Sequence, residues 1–265
     1  MGKLILAVRS HEKGLATKER ILSAAATTTA TGRDVDPSRI MFLVVDLSSF
    51  ASVVSFCKEL HTQVGDTGLD AALLCAGVAP PSYKAVAAGN EEGTWDVAVQ
   101  VNILSTTLMA EMLLPLLQRR KAVSPTSFLH LTFVNSTGND MVKPEWLAGH
   151  DGSALRIAND PQAWSAMRTY AVVKLVGLAV MMGMAERILR KEVIINAVCP
   201  GLCKTDLGRD YPWITQALMA PVQLFLHRTA EEGARSLVSA TALGPESHGK
   251  FWHNGILYPV STLFI

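Results

Sequence analysis

Short apolar runs alternate along this chain with longer stretches whose apolar positions recur at helical spacing. Leu4–Val8, Ile40–Val45, Ala71–Leu74, Phe128–Val134 and Val193–Val198 are mostly apolar and only a few residues long. Runs of this kind read as strands buried on both faces of a parallel sheet. A further run is centred near Phe251, ahead of the terminal segment Val260–Ile265. Between these runs the helical period predicts helices at about Lys13–Ala25, Ser49–Val64, Trp95–Arg120, Ser165–Arg190 and Ala230–Leu243. The alternation predicts βαβ units, hence an α/β fold, and no linker divides residues 1–265 into two domains.

Ser48 or Ser49 is placed to cap the second helix. Gly32–Ser38 carries turn chemistry, with Gly, two Asp and Pro close together. Asn139–Ala163, holding Pro144, Gly149, Gly152 and Pro161, is expected to be a long irregular excursion. Excursions of that length in α/β proteins often cover a site.

Composition narrows the classes. Apolar residues make up 49% and charged residues 18%, which argues against disorder. With 24 Lys+Arg against 23 Asp+Glu, no overall attraction to nucleic acid or an anionic membrane is expected. Leu4–Val8 is too short for a signal-peptide core or a membrane span. Ala171–Ala185 is longer, but Lys174 interrupts it and Glu186 and Arg187 end it, so it reads as a buried helix. The expected address is the cytoplasm. Cys57, Cys75, Cys199 and Cys203 form no dense framework and are expected to be free thiols. The seven histidines lack metal-ligand spacing, and no metal site is expected. No Gly-x-Ser-x-Gly elbow occurs. Trp146, Trp164, Trp213 and Trp252 are read as core or substrate-wall residues.

The strongest local chemistry is Tyr170-Ala-Val-Val-Lys174 inside a helical stretch. Four-residue spacing puts phenol and ammonium on one helix face, one turn apart. A tyrosine hydroxyl titrates near pH 10, and a neighbouring cation brings it towards the range useful for acid–base catalysis. Ser136 follows the strand Phe128–Val134 at its carboxyl end, where ligands of open parallel sheets bind. It is either a donor to a substrate oxygen or a turn residue. Val193–Val198 runs into Cys199-Pro200-Gly201 and then Thr205-Asp206, a turn that lets backbone approach a ligand.

In this order the motifs resemble the short-chain dehydrogenase/reductase superfamily, especially its retinol-dehydrogenase-like branch and reductases of fungal secondary metabolism. The resemblance implies a Rossmann-like doubly wound parallel sheet. Ile5–Gly14 is similar to that family's second strand and following turn, and Val44–Ser49 to its third strand's acidic end. Asp70–Gly77 is similar to the fourth strand and its Asn-Asn-Ala-Gly turn, and Val101-Asn102 to the start of the helix that carries Leu113–Leu117. It further implies that Tyr170 exchanges a proton with the substrate oxygen. Lys174 would lower its pKa and hold the nicotinamide ribose. Ser136 would orient the substrate, and Asn102 would support a water-linked proton relay. Asp46 would meet the adenine, while Ala76, Gly77, Pro200, Gly201 and Thr205 would line the cofactor cleft. Arg9 suits a 2′-phosphate, which favours NADP over NAD.

Against this pattern, no Gly-x-x-x-Gly-x-Gly occurs, and Leu74-Cys75 stands where the family has two asparagines. The resemblance therefore implies a sheet incomplete at its N-terminal side, with the first strand and helix missing. Three readings follow. One is an NADP(H)-dependent oxidoreductase that reduces a carbonyl, or oxidises a secondary alcohol, of a lipophilic or polyketide-like molecule. Another is a non-redox pseudoenzyme or partner-binding protein, and the last is a native chain that begins further upstream. The apolar helix Tyr170–Leu189 serves either as a homodimer face or as core.

Overall fold

The computed structural model describes residues 2–27, 35–87, 94–147, 153–217 and 227–260. Two parallel ladders form its centre. β1 (Leu4–Val8) pairs with β2 (Ile40–Val44), Leu4 opposite Ile40 and Val8 opposite Val44. The larger sheet runs β3-β6-β7-β8-β9, from β3 (Ala71–Leu74), β6 (His130–Val134), β7 (Ile194–Cys199), β8 (Lys250–His253) and β9 (Ile256–Pro259). All its pairs are parallel except the closing hairpin β8-β9. β4 (Ala85–Ala87) and β5 (Thr94–Asp96) make a small antiparallel hairpin of their own.

Polar caps set the helix starts. In α1 (His11–Thr27) the Ser10 hydroxyl accepts from the Lys13 N–H. For α2 (Phe50–Val64) the cap is Ser49 rather than Ser48. The third helix, α3 (Val97–Val123), begins two residues after the start expected at Trp95, because Trp95 pairs in β5 and Asp96 caps the helix through the Ala98 N–H. Its stretch Gln100–Ser105 is π-helical, so the side chains around Asn102 are rotated from an ideal α register. α4 (Ala154–Asn159) lies within the excursion. α5 (Ala166–Arg187) starts at a Ser165 cap, and α6 (Ala230–Ala240) at the Thr229/Glu232 capping box.

Leu113, Leu116 and Leu117 of α3 and Met181 and Met184 of α5 pack on Leu131, Phe133, Ile195 and Ala197 of the larger sheet. Leu43, Val45, Val53 and Phe56 join the β1–β2 ladder to this same core. Each such side chain contributes roughly 1.5–3 kcal/mol on burial. A second cluster holds Val99, Ile103, Val142, Ile157 and Val172, where the excursion packs on α3 and α5. Both long helices are apolar enough to cross a membrane by length and composition, yet here each turns a face to the sheet.

Within the larger sheet β3, β6, β7 and β8 lie side by side in parallel, and β1 and β3 share no ladder. β3 alternates buried Ala72 and Leu74 with exposed Ala71 and Leu73. The turn at Gly32–Ser38, the stretch Leu207–His227 and the terminal Val260–Ile265 fall partly outside the described residues.

Candidate active site

The carboxyl ends of β3, β6 and β7 point the same way and bring three chain segments together. After β6, Asn135 is buried and works as a joint. Its carbonyl oxygen accepts from the Ser136 N–H at 2.7 Å, and its amide donates to the Lys174 carbonyl at 3.1 Å. Strand end and α5 are thereby locked, with Ser136 and Tyr170 on adjoining surfaces. The Ser136 hydroxyl accepts from the Gly138 N–H at 3.0 Å and draws the Tyr170 phenol's pKa downwards. Of the two meanings read for Ser136, the turn role is the one this geometry displays. Gly138 lies so near the phenol ring that a Cβ there would sit 3.0 Å from Tyr170 Cε1.

Lys174 Nζ is 5.7 Å from the centre of the Tyr170 ring, as i,i+4 spacing requires. Burial pushes the Lys174 ammonium down from 10.5 to about 8, against an upward pull from the Cys199 and Cys75 thiols. Burial also raises the Tyr170 phenol, and the Ser136 hydroxyl draws it partly back. At neutral pH the site therefore holds a protonated phenol beside a cation whose proton is loosely held.

After β3, the Asn102 side chain accepts from the Val78 N–H and donates to the Val78 carbonyl, both at 2.9 Å. This two-point grip fixes the path through Ala76 and Gly77. Behind it a cavity of about 20 Å³ is lined by Ala76, Asn102, Thr106, Asn135, Lys174 and Gly177 among others. That is the room one water molecule needs. After β7, the Pro200-Gly201 turn has Gly201 at φ 80°, a left-handed conformation that suits glycine. The Gly201 N–H donates to Cys199 Sγ at 3.3 Å. Thr205 lies on the exposed chain beyond, accepting from the Leu207 N–H.

Asn102, Ser136, Tyr170, Lys174, Ala76, Gly77 and Pro200-Gly201 are thus gathered at one end of the larger sheet. Arg9 and Asp46 lie on the smaller one. Arg9 follows β1, and both side chains are exposed at the carboxyl end of that pair. The Asp46 carboxylate accepts from the Ser48 N–H and hydroxyl. The sequence reading passed over Asn135, although an amide directly ahead of Ser136 at a strand end was its available signal. It also passed over Val78, which contributes only backbone.

No family model matches the chain. Curated relatives do. The chain is 38% identical over 252 residues to the short-chain dehydrogenase/reductase phmF of Phaeosphaeria nodorum, covering 94% of this chain and 69% of that protein. The chain belongs to the short-chain dehydrogenase/reductase family. This short-chain dehydrogenase is also 38% identical to ffsI of Aspergillus flavipes, over 97% of its own length and 71% of that relative's. The carbonyl reductase Sniffer of D. melanogaster shares its fold with a TM-score of 0.62 at 17% identity, over 98% of this chain and 88% of that one. An NADPH-bound carbonyl reductase from chicken fatty liver gives 0.62 at 13% identity, over 97% and 88%. The Rossmann-like α/β class expected from the strand and helix order is the class of these neighbours, and oxidoreductase chemistry is that of the family.

Proposed function

We propose that this short-chain dehydrogenase is an NADP(H)-dependent oxidoreductase that reduces a carbonyl, or oxidises the matching secondary alcohol, of a lipophilic or polyketide-like small molecule. The observation that carries the reading is the Tyr170 phenol next to the Ser136 turn, with the half-buried Lys174 ammonium 5.7 Å from the centre of its ring. The donor set fits a nicotinamide nucleotide: a half-buried cation, a phenol, and the main chain of Ala76-Gly77 and Pro200-Gly201 at the same sheet end. Bound there, the nicotinamide supplies or takes the hydride.

The chain's own residues manage the proton. Ser136 holds the substrate oxygen, Tyr170 Oη gives it a proton during reduction, and Lys174 favours the phenolate left behind. Asn102 and Asn135 wall the one-water cavity through which that proton is replaced. Arg9 beside the ribose end supports NADP rather than NAD, Asp46 is the adenine-side residue, and Thr205 closes the cleft beyond Gly201. A place in fungal secondary metabolism is supported by relatives such as phmF and ffsI. We further assign one domain, a cytoplasmic address, and a homodimer formed over the apolar helix Tyr170–Leu189.

A second reading rests on the break between β1 and β3. If the nucleotide cleft spans both sheets, it lacks a continuous floor, and the protein is a non-redox binder on the same scaffold. Calorimetric titration of the folded chain with NADPH and with NADH separates the two. Micromolar binding with NADPH preferred is expected, and Tyr170→Phe should keep that affinity while losing carbonyl reduction. Absence of binding by a well-folded chain would establish the non-redox reading instead.

A further inference from the structure

Two stretches of the excursion between β6 and α5, residues 137–147 and 153–163, are tied down by contacts that the proton chemistry above does not use. The first starts beside Tyr170, where the turn Thr137–Met141 packs on α5, and continues through buried Val142 to the turn Pro144–Trp146. The second contains α4 and ends at Ala163. Arg168 joins them. Its Nη1 donates to the Ala163 carbonyl at 3.0 Å and its Nη2 to the Trp146 carbonyl at 3.1 Å. Both acceptors are main chain, so the guanidinium reads the path of the backbone and not the side chains at those positions. Arg168 stands two residues before Tyr170, which puts it on the other side of α5 from the phenol. It therefore holds the stretches without competing for the substrate oxygen.

A second tie anchors the far stretch. Asn159 Oδ1 accepts from the Asp96 N–H at 2.6 Å, and its amide donates to the Thr94 carbonyl at 3.4 Å. The buried Asp96 carboxylate in turn accepts from the Lys84 and Ala98 N–H groups. Hairpin β4-β5, the start of α3 and the excursion meet at this point. Below them Ile157 and Ala158 pack with Val142 on Ala171 and Val172, which lie between Tyr170 and Lys174 in the chain. The two Arg168 bonds and the Asn159–Asp96 bond are part-buried, and the Asn159–Thr94 bond is exposed.

We propose that Arg168 and Asn159 are positioning residues that hold these two stretches in place, and that the first, which starts beside Tyr170, is a preformed wall that selects which carbonyl compounds reach the phenol. The selection half rests on the reductase reading; the clamp itself does not. Preformed walls discriminate by shape, because moving one costs the contacts that hold it. Small carbonyls pass such a wall unaffected, whereas bulky ones depend on its position.

The test compares wild type with Arg168→Met, Arg168→Lys and Asn159→Ala. Amide hydrogen–deuterium exchange over 137–147 and 153–163 reads the clamp directly, without turnover. Steady-state rates with NADPH, using benzaldehyde and the bicyclic ketone 1-decalone, read the selection. Faster exchange in both stretches is expected for Arg168→Met. Its KM for 1-decalone should change about tenfold, equal to about 1.4 kcal/mol. Its kcat, its KM for benzaldehyde and its NADPH affinity should stay within about twofold, and Arg168→Lys should recover part of the change. Unchanged exchange in Arg168→Met and Asn159→Ala would overturn the clamp. Faster exchange with an unaltered ratio of the two KM values would overturn the selection. A joint fall of kcat and NADPH affinity would make Arg168 a support of the Tyr170 helix and overturn it too. If wild type reduces neither compound, the reductase reading fails and takes the selection with it, while the exchange result still decides the clamp.

Discussion

The Lys174 ammonium carries a cost that its position explains. Burial holds its proton-loss midpoint at about 8, below the 10.5 of a free lysine. The folded chain then sheds the proton between about pH 8 and 10.5 while the unfolded chain keeps it. The cost of burying the charge is full below pH 8 and gone above 10.5. Lys174→Met should therefore melt higher than wild type at pH 7, with the gap closing towards pH 10.5, while losing carbonyl reduction. Differential scanning calorimetry across that range checks the sign, and a lower melting temperature at pH 7 would show that the ammonium has a stabilising partner. At this scale Tyr170, Lys174 and Ser136 were legible because side chains at fixed spacing carry their chemistry. The grip of Asn102 on Val78 was not, since its partner is backbone and lies 24 residues away.

Elements were legible where their pattern is long. Leu4–Val8 and Ala71–Leu74 occupy the residues expected, and α2 and α5 start within one residue of expectation. The hairpin Ala85–Ala87/Thr94–Asp96 escaped notice because three-residue strands leave no period to read. It also absorbed Trp95, which the helical spacing had claimed. The π-helical stretch at Gln100–Ser105 was equally hidden, as its apolar spacing is close to that of an α-helix. How one element seats on another is visible at Gly14 in the first turns of α1. A Cβ there would lie 2.3 Å from Phe42 Cδ2 in β2, and the His11 ring, edge-on to Phe42 at 5.0 Å, restricts its retreat. Gly14→Ala gains helix propensity of up to about 1 kcal/mol but forces repacking worth about 1–3 kcal/mol. We expect a net loss of roughly 1 kcal/mol in urea unfolding; an unchanged midpoint would mean that Phe42 turns aside freely.

For the whole molecule, the order of strands and helices was enough to place β6, β7 and the helix between them, because right-handed parallel connections leave few alternatives. What the order could not show is how the interior is held where it is polar. Thr132 donates to Asn196, whose amide reaches both the Ala240 carbonyl and Ser247, all four residues fully buried. This network ties two central strands to the end of α6 and the loop before β8, and its partners are dispersed through the second half of the chain.

The division between the two ladders also bears on how the chain reaches its fold. Of the parallel pairings, Leu4 with Ile40 joins residues nearest in sequence, so it closes the smallest loop at the lowest entropic cost. It shares no ladder with any other described strand. The β1-α1-β2 segment is therefore able to form early as a unit of its own and to dock afterwards through Leu43, Val45, Val53 and Phe56. The five-stranded ladder must wait for strands from Ala71 to Pro259. Assembly of this molecule thus ends on a docking step between two finished pieces, with the candidate nucleotide residues Arg9 and Asp46 on one and Tyr170 and Lys174 on the other.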